Sequence, residues 1–201
     1  MVKSVRRSAL PAVLATTFAL FACAEARSGS SVHVLFGQKH VSEDGFLIPE
    51  TAESFGALLS FRGADWPIHV AVDLLETSAE GRGRFTPEVE FDTFEVAVGV
   101  RRFWNVGQAR PYVGGGVVYV EATYEETRDD PVSGYHFQDE TNGYGPWVGG
   151  GVAWRLGRRF DLGFDVRWEI VGADIQYRFG NTLENIDLGG FSYGLTFGFE
   201  W

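Results

Sequence analysis

The chain has 201 residues, which is enough for one domain with a substantial core. It carries 27 Asp and Glu residues against 17 Lys and Arg, a formal charge of -10, so nucleic acid is excluded as a partner because its phosphates would be repelled. The 26 glycines, 17 Phe, 7 Tyr and 6 Trp residues favour strands over helices.

The first predicted element is an export signal at residues 1–26. A basic start precedes an apolar run at residues 9–22, and Ala24-Glu25-Ala26 has the small residues that flank a cleavage site. We expect the mature chain to be a single domain at residues 27–201. The alternative is a lipoprotein signal in which Cys23, the one cysteine of the sequence, is lipidated.

Eight segments in which every second residue is apolar follow the signal. They lie at residues 31–39, 54–62, 67–76, 93–101, 111–125, 146–156, 159–171 and 191–201. The last segment is the clearest, because the bulky residues from Phe191 to Trp201 alternate with Ser192, Gly194 and other small or polar residues. A period of two is typical of strands with one apolar face.

The links between these segments alternate in length. Short links fall at residues 63–66, 105–110 and 157–158, and long polar links at residues 40–53, 77–92, 126–145 and 178–190. An antiparallel barrel with an even number of strands predicts this asymmetry, with short turns in the periplasm and long loops outside the cell. The sequence therefore predicts an all-β fold, an eight-stranded antiparallel up-and-down transmembrane β-barrel.

Side-chain size indicates which face of the strands lies inside the barrel. The face opposite the bulky residues is rich in Gly and Ala, which suits the narrow interior of an eight-stranded barrel. This face also carries the charges Arg62, Asp73, Glu95, Arg101, Glu121, Arg155, Asp161, Asp165, Arg167, Glu169 and Glu200. We expect these groups, with His33 and His69, to form ion pairs that fill the lumen, because an unpaired buried charge is costly.

Aromatic and glycine positions refine this prediction. Interfacial aromatic residues on the lipid side are expected near the short turns: Phe61, Trp66, Trp104, Tyr112, Trp154 and Trp201. The glycine triplets at residues 114–116 and 149–151 lie about equally far from their short turns. They are expected to form one small-residue zone in the periplasmic half, with Gly115, Gly149 and Gly151 facing the lumen.

The signal, the eight alternating segments and the final FSYGLTFGFEW resemble the eight-stranded outer-membrane β-barrel family, and are similar to the membrane domain of outer membrane protein A. The resemblance implies a monomer in the cell outer membrane, in contact with outer-membrane lipid and lipopolysaccharide. It also implies that the last strand is the signal for the barrel-assembly machinery, which usually ends in Phe, whereas this chain ends in Trp201. The expected role is structural or in surface interaction, without a cofactor or metal.

Two other functions stay open. Some barrels of this size deacylate lipid A with a His-x-Ser motif and a carboxylate, which His40-Val41-Ser42 and Glu43 resemble, although here the motif ends the first strand. The other is a narrow solute channel. His136 is expected in a loop.

The long links also contain the acidic residues Glu125, Glu126, Asp129, Asp130, Asp139 and Glu140. They are expected to be a solvated surface, with divalent cations shared with lipopolysaccharide as the alternative. Their spacing matches no calcium-binding loop.

Overall fold

The computed structural model describes residues 29–41, 51–63, 65–82, 88–128, 134–176 and 182–201, without the side chains of residues 82, 128 and 174–186. The expected signal peptide and Cys23 lie outside these residues. The strands are β1 (Ser31–Val41), β2 (Thr51–Arg62), β3 (His69–Arg82), β4 (Glu88–Phe103), β5 (Ala109–Arg128), β6 (Tyr135–Leu156), β7 (Phe160–Glu169), β8 (Gly172–Gln176), β9 (Thr182–Asp187) and β10 (Gly190–Glu200). Within the described part of the chain, no helix is long and apolar enough to cross a membrane.

Eight of the ten described strands close into an antiparallel barrel, in the order β1-β2-β3-β4-β5-β6-β7-β10, with β10 paired to β1. Directly paired residues, followed once around the barrel, lead from Ser31 to Val41, ten residues further along β1. Such an offset tilts the strands by roughly 35–45° and leaves a lumen that side chains can fill. The predicted fold class is confirmed, and each predicted segment falls on its own wall strand, apart from one or two terminal residues of the segments at 67–76, 159–171 and 191–201.

The two ends of the barrel differ as the link lengths predict. The short-turn end carries the links at residues 63–68, 104–108 and 157–159. Gly107 and Gly157 have φ of +64° and +84° in two of these turns, a conformation that favours glycine.

The predicted long loops are wrong in extent. Strands β5 and β6 are 20 and 22 residues long, so much of residues 126–145 is strand. Parts of residues 77–92 and 178–190 are also strand. Beyond the hydrocarbon neither face of a strand has to be apolar, so pairing continues there without the alternation that reveals a strand.

The outer surface of the barrel is an apolar belt, defined by exposed outward side chains on β1, β4, β5, β6, β7 and β10, whereas the outward apolar residues of β2 and β3 are half-buried or buried. Its members include Phe36, Val98, Val100, Val113, Val117, Val148, Trp154, Leu162, Phe164, Trp168, Phe191, Leu195 and Phe197. The residues between them are buried on most strands, as in the alternating pattern of β7. A continuous exposed belt of this kind needs hydrocarbon around it, because apolar patches of this extent are rare on soluble monomers.

Strand β5 has the opposite phase to the one predicted. Tyr112 is buried in the lumen, whereas Glu121 is exposed on the outer face and Gly115 shares that face. The alternation is misleading because the inward face of β5 is itself apolar, with Val118 and Val120 buried inside the barrel. The two predictions for Tyr112 and Glu121 are therefore wrong.

Candidate functional site

The middle of the lumen contains a carboxylate between two guanidinium groups. Asp73 is fully buried, and its Oδ2 accepts hydrogen bonds from Nη2 of Arg101 (2.6 Å) and Nη2 of Arg167 (2.7 Å). Arg101 also donates to Oγ of Ser60 at 3.4 Å. This pairing allows three charged groups to lie inside the barrel. The predicted ion-pair network in the lumen is confirmed here.

A second charged cluster lies further from the short turns and centres on Lys39, which the alternation alone did not identify. Its Nζ is 2.5 Å from Oε1 of Glu95 and 3.0 Å from Oε2 of Glu169. All three side chains are at most 2% exposed. Its position in the sequence could have identified it, because Lys39 is on the same face of β1 as His33, which was predicted to lie inside the barrel.

A third cluster lies at the short-turn end. Oε2 of Glu200 accepts hydrogen bonds from Nη1 of Arg110 (2.6 Å) and Nη2 of Arg155 (2.5 Å). Asp161 is buried beside it, 3.9 Å from Arg110. Arg110 was missed from the sequence because it precedes the apolar part of its strand. Arg62, predicted to join the network, is exposed at the rim.

Both histidines predicted to lie inside do so. His33 and His69 are buried, and Nε2 of His69 is 3.1 Å from the carbonyl oxygen of Gly29. The ring of His33 lies against Gly198, where a Cβ would meet it. Small residues on one strand therefore make room for rings from another.

Trp147 is the largest group in the middle of the lumen. Its ring lies under the guanidinium groups of Arg167 (4.4 Å) and Arg101 (5.7 Å), within the range of cation–π attraction. Its Nε1 donates to the carbonyl oxygen of Val98 at 3.4 Å. Beside it, Tyr112 donates a hydrogen bond to Asp165. The two rings bridge the charged groups of several strands.

The two glycine triplets form one zone, as predicted, because Gly114 and Gly149 are directly paired. A Cβ on Gly116 would lie 2.9 Å from Nε1 of Trp147, and one on Gly151 would lie 2.7 Å from the hydroxyl of Tyr112. The triplets thus make space for the lumenal rings. Gly149 and Gly151 face the lumen as expected, and Gly115 does not.

An apolar layer covers the Lys39 cluster on the side away from the short turns. It continues the same inward faces, since Val41 follows Lys39 and Val171 follows Glu169 by two residues. Its buried members are Val41, Phe91, Val120, Ala122, Val171, Ala173 and Leu188. Several of these side chains have no exposed surface at all, so no water-sized gap lies beside them.

Beyond the apolar belt, β3 to β6 continue as one sheet that we call the acidic extension (residues 76–82, 88–92, 121–128 and 135–142). Its outward face carries the carboxylates of Glu76, Glu80, Glu88, Glu90, Asp92, Glu121, Glu125 and Glu140. Glu90 is directly opposite Glu80 on one side and Glu125 on the other. The carboxylates make this face negative, and those directly opposite each other repel.

The acidic residues predicted in loops belong to this sheet. Glu125 and Glu126 lie on β5, and Asp139 and Glu140 on β6, while Asp129 and Asp130 lie outside the described residues. Ser78 donates to Asp92 at 2.6 Å, and Tyr119 donates to Glu121 at 3.0 Å. No group of three or more His, Cys, Asp or Glu residues that could hold a metal ion occurs among the residues described.

His40 faces the outside of the barrel near the upper edge of the belt. Its Nδ1 is 3.1 Å from Oγ1 of Thr51, directly opposite on β2, and its ring stacks on Tyr193 with centroids 5.9 Å apart. Ser42 and Glu43 lie outside the described residues. His136 is on strand β6, where a loop was predicted, and its Nδ1 is 3.0 Å from Oγ1 of Thr127.

Aromatic side chains surround the short-turn end, as expected. Trp66, Trp104 and Trp154 are exposed on the outside of the barrel. The guanidinium of Arg102 lies 5.6 Å from the Trp104 ring centroid, and Trp201 stacks on Phe199. Rings of this kind sit at the boundary between lipid and water in membrane barrels.

Solved structures of similar fold are outer-membrane or surface proteins. Ail, the attachment invasion locus protein of Yersinia pestis, superposes with a TM-score of 0.57 at 13% identity, covering 87% of this chain and 99% of Ail. Neisserial surface protein A gives 0.53 at 16% identity, covering 85% and 94%. A major outer membrane protein of Thermus thermophilus gives 0.52 at 10% identity, covering 86% and 100%.

No protein-family model matches the chain, and no curated protein sequence matches it. At these identities the similarity concerns the fold. The closed wall, the apolar belt and the ring of aromatic residues are the features that a membrane barrel requires. The chain therefore has the fold of the eight-stranded outer-membrane β-barrels.

Proposed function

We propose that this outer-membrane barrel has a structural or surface-contact role, and that the acidic extension is its contact surface. The observation that carries the proposal is the continuation of β3 to β6 beyond the belt as one carboxylate-rich sheet. Strands that only cross the hydrocarbon need about 9–11 residues, which is close to the lengths of β1, β2, β7 and β10.

The charge of the extension favours a cationic partner. Carboxylates in adjacent rows produce a negative potential that attracts basic macromolecules and repels anionic ones. A structure of Ail is a complex with the heparin analogue sucrose octasulfate, an anionic ligand. For this chain we propose the opposite preference, because Glu90 lies between Glu80 and Glu125 on the exposed face.

The difference between the two ends of the barrel supports the proposed orientation of the chain in the outer membrane. The signal at residues 1–26 directs export, the short turns face the periplasm, and the acidic extension points away from the cell. The belt contacts outer-membrane lipid, and the first carboxylates above it, at Glu53 and Glu76, lie where lipopolysaccharide phosphates would be. Divalent cations would bridge these like charges.

Binding of charged probes tests the contact role. We expect the full chain in lipid vesicles to bind polylysine and not heparin. Replacing Glu80, Glu90 and Glu125 with Gln should weaken polylysine binding about tenfold, since each exposed charge pair contributes roughly 0.5 kcal/mol.

The matched control for that experiment replaces the outward neutral residues Ser78, Thr123 and Gln138 with Ala on the same sheet. The control should bind polylysine like the parent chain. Equal binding of polylysine by the parent and the Gln variant, or preferential binding of heparin, would contradict the proposal.

A narrow solute channel is the less favoured role, because charged and apolar side chains fill successive levels of the lumen. Asp73, Lys39 and Phe91 are each at most 2% exposed. We expect the chain to give no conductance steps in planar bilayers. Reproducible steps that persist after repurification would favour the channel.

Hydrolysis of lipid A acyl chains is a second candidate function, and the contact between His40 and Thr51 favours it. An imidazole nitrogen facing a hydroxyl at the lipid boundary could act as a general base. The pair of His136 and Thr127 has the same cross-strand geometry far from the lipid, so it is a matched control. Loss of lipid A deacylation in H40A but not in H136A, measured by mass spectrometry, would support an enzyme.

We also propose that the last strand directs assembly. Phe197, Phe199 and Trp201 share the lipid-facing side of this strand. The backbone of Trp201 forms hydrogen bonds with the backbone of Gly29 and of Ser30. Trp201→Ala should slow insertion by the barrel-assembly machinery, whereas Trp201→Phe should not. Equal insertion of both variants would contradict this role.

A further inference from the structure

Arginine residues lie on both sides of the wall at the short-turn end of the barrel. On the lumenal side, Arg110 and Arg155 both donate hydrogen bonds to the carboxylate of Glu200. On the outer side, the side chains of Arg102 and Arg159 are exposed. Neither of these two forms an ion pair with any residue that the structure describes. The outer guanidinium groups therefore lack a protein counterion within this part of the chain.

Aromatic rings on the lipid face show at which level the outer guanidinium groups lie. The guanidinium of Arg102 is 5.6 Å from the ring centroid of Trp104, and that of Arg159 is 5.9 Å from the ring centroid of Phe199. Phe199 in turn stacks on Trp201. Aromatic rings of a membrane barrel lie at the boundary between hydrocarbon and headgroups. Both arginines are therefore at the level of the lipid headgroups.

The short turn between β6 and β7 presents Arg159 together with Arg158, whose side chain is also exposed. Gly157 has a φ of +84°, which allows the tight turn. The carbonyl oxygen of Arg159 accepts a hydrogen bond of 2.8 Å from the backbone N–H of Glu200. The turn thus carries two adjacent cationic side chains on a backbone that is bonded to the last strand.

Phosphate groups are the counterions that a headgroup layer offers to these arginines. A guanidinium group can donate two parallel hydrogen bonds to a phosphate, and an uncompensated charge is more costly beside hydrocarbon than in water. The other end of the barrel has the opposite charge, because Glu80, Glu90 and Glu125 are on its outward face. An anionic lipid is therefore expected to be attracted to the short-turn end and repelled from the other.

We propose that Arg102 and the pair Arg158 and Arg159 form two binding sites for anionic phospholipids of the leaflet at the short-turn end. At each site the guanidinium groups bind the phosphate of the headgroup, and the neighbouring ring, Trp104 or Phe199, contacts the first part of the acyl chains. A soluble polyanion is less favoured because these rings face lipid. The proposal does not depend on what the acidic extension binds.

Native mass spectrometry of the full chain, folded in an uncharged detergent, tests these sites with phosphatidylglycerol as the probe. Exposed charge pairs change an affinity by roughly two- to fivefold each. The parent chain should therefore bind phosphatidylglycerol about fivefold more strongly than phosphatidylcholine, which has no net charge. Replacing Arg102, Arg158 and Arg159 together with Gln should abolish this preference.

Arg62→Gln and Arg159→Gln are a matched pair, because each removes one exposed positive charge from the same end of the barrel. Arg62 follows Ser60, whose hydroxyl accepts a hydrogen bond from Arg101 inside the lumen. Arg159→Gln should lower the preference for phosphatidylglycerol, whereas Arg62→Gln should leave it unchanged. Compact gel mobility without boiling verifies that each variant is folded.

Several outcomes would overturn the two lipid sites. The parent chain could show no preference for phosphatidylglycerol, the triple Gln variant could keep the preference, or Arg62→Gln could reduce it as much as Arg159→Gln does. Binding of polyglutamate through the same three arginines, without a preference for phosphatidylglycerol, would assign them to a soluble polyanion instead. Inorganic phosphate should not displace the lipid, and displacement would show that the aromatic rings do not contribute to binding.

Discussion

Asp73 is the residue on which the charged middle of the lumen depends, because Arg101 and Arg167 both donate to it. Asp73→Ala removes the carboxylate that the two guanidinium groups share. Breaking a buried ion pair on one side costs about 3–5 kcal/mol. We expect a loss of this size in the free energy of unfolding, measured by urea titration in lipid vesicles.

The control for that measurement is Glu121→Ala, which removes an exposed carboxylate from the outer face. Exposed substitutions of this kind usually change stability by less than about 0.5 kcal/mol. An equal loss in both variants would mean that burial of the ion pair is not what makes Asp73 important.

Glycine positions one residue apart on β5 should differ in their tolerance of a methyl group. A Cβ on Gly116 would press on the carbonyl oxygen of Val98 and on Trp147 inside the lumen, whereas one on Gly115 points outward, 3.2 Å from its nearest atom. Overpacking typically costs about 1–3 kcal/mol. We expect that loss for Gly116→Ala and a smaller one for Gly115→Ala in the same titration. A larger loss of stability for Gly115→Ala than for Gly116→Ala would contradict the role of the glycine triplets in making space for the lumenal rings.

At the scale of single strands, β5 shows where sequence analysis succeeds and where it fails. Alternation located the strand, because a period of two survives whichever face is apolar. It could not assign the faces, since the apolar side chains of Val118 and Val120 are buried inside the lumen while Glu121 is exposed on the outside. Lys39 and Arg110 were missed for a different reason: each lies at an end of its apolar segment, where the alternation is weak, and only closure shows that their partners Glu169 and Glu200 are close.

Alternation of apolar residues also failed to identify the strands of the acidic extension, because their outward side is polar and strand pairing there needs no apolar face. Removing two of its carboxylates with Glu80→Gln and Glu125→Gln leaves Glu90 opposite neutral side chains. We expect stronger protection of residues 88–92 and 121–127 in hydrogen-exchange mass spectrometry, by roughly 0.2–1 kcal/mol for each repulsive pair removed.

Salt provides the control for this exchange measurement. At about 1 M salt the Debye length falls to about 3 Å, so repulsion between exposed carboxylates is screened and the difference between variant and parent should disappear. A difference that persists in high salt, or its absence in low salt, would show that repulsion between these strands is not what limits their protection.

At the scale of the whole molecule, closure and membrane placement follow from features that the sequence displays: eight periods, short and long links in turn, and a bulky outward face. The filling of the lumen does not, because it depends on the ten-residue offset of pairing around the barrel. That offset determines which charged side chains, distant in sequence, lie next to each other in the lumen, such as Lys39 and Glu169.

The belt is the property on which the membrane assignment rests, and Leu195 tests it. Its side chain is 62% exposed and lies between Phe36 and Phe164 on the neighbouring strands. An arginine on the lipid face costs about 2–4 kcal/mol near the bilayer midplane and little at the interfaces. Leu195→Arg should lose that much stability in lipid vesicles, whereas Gln138→Arg on the acidic extension should lose almost none. Equal stability of the two variants would place the belt outside hydrocarbon, because only a low-dielectric surrounding makes an outward charge costly.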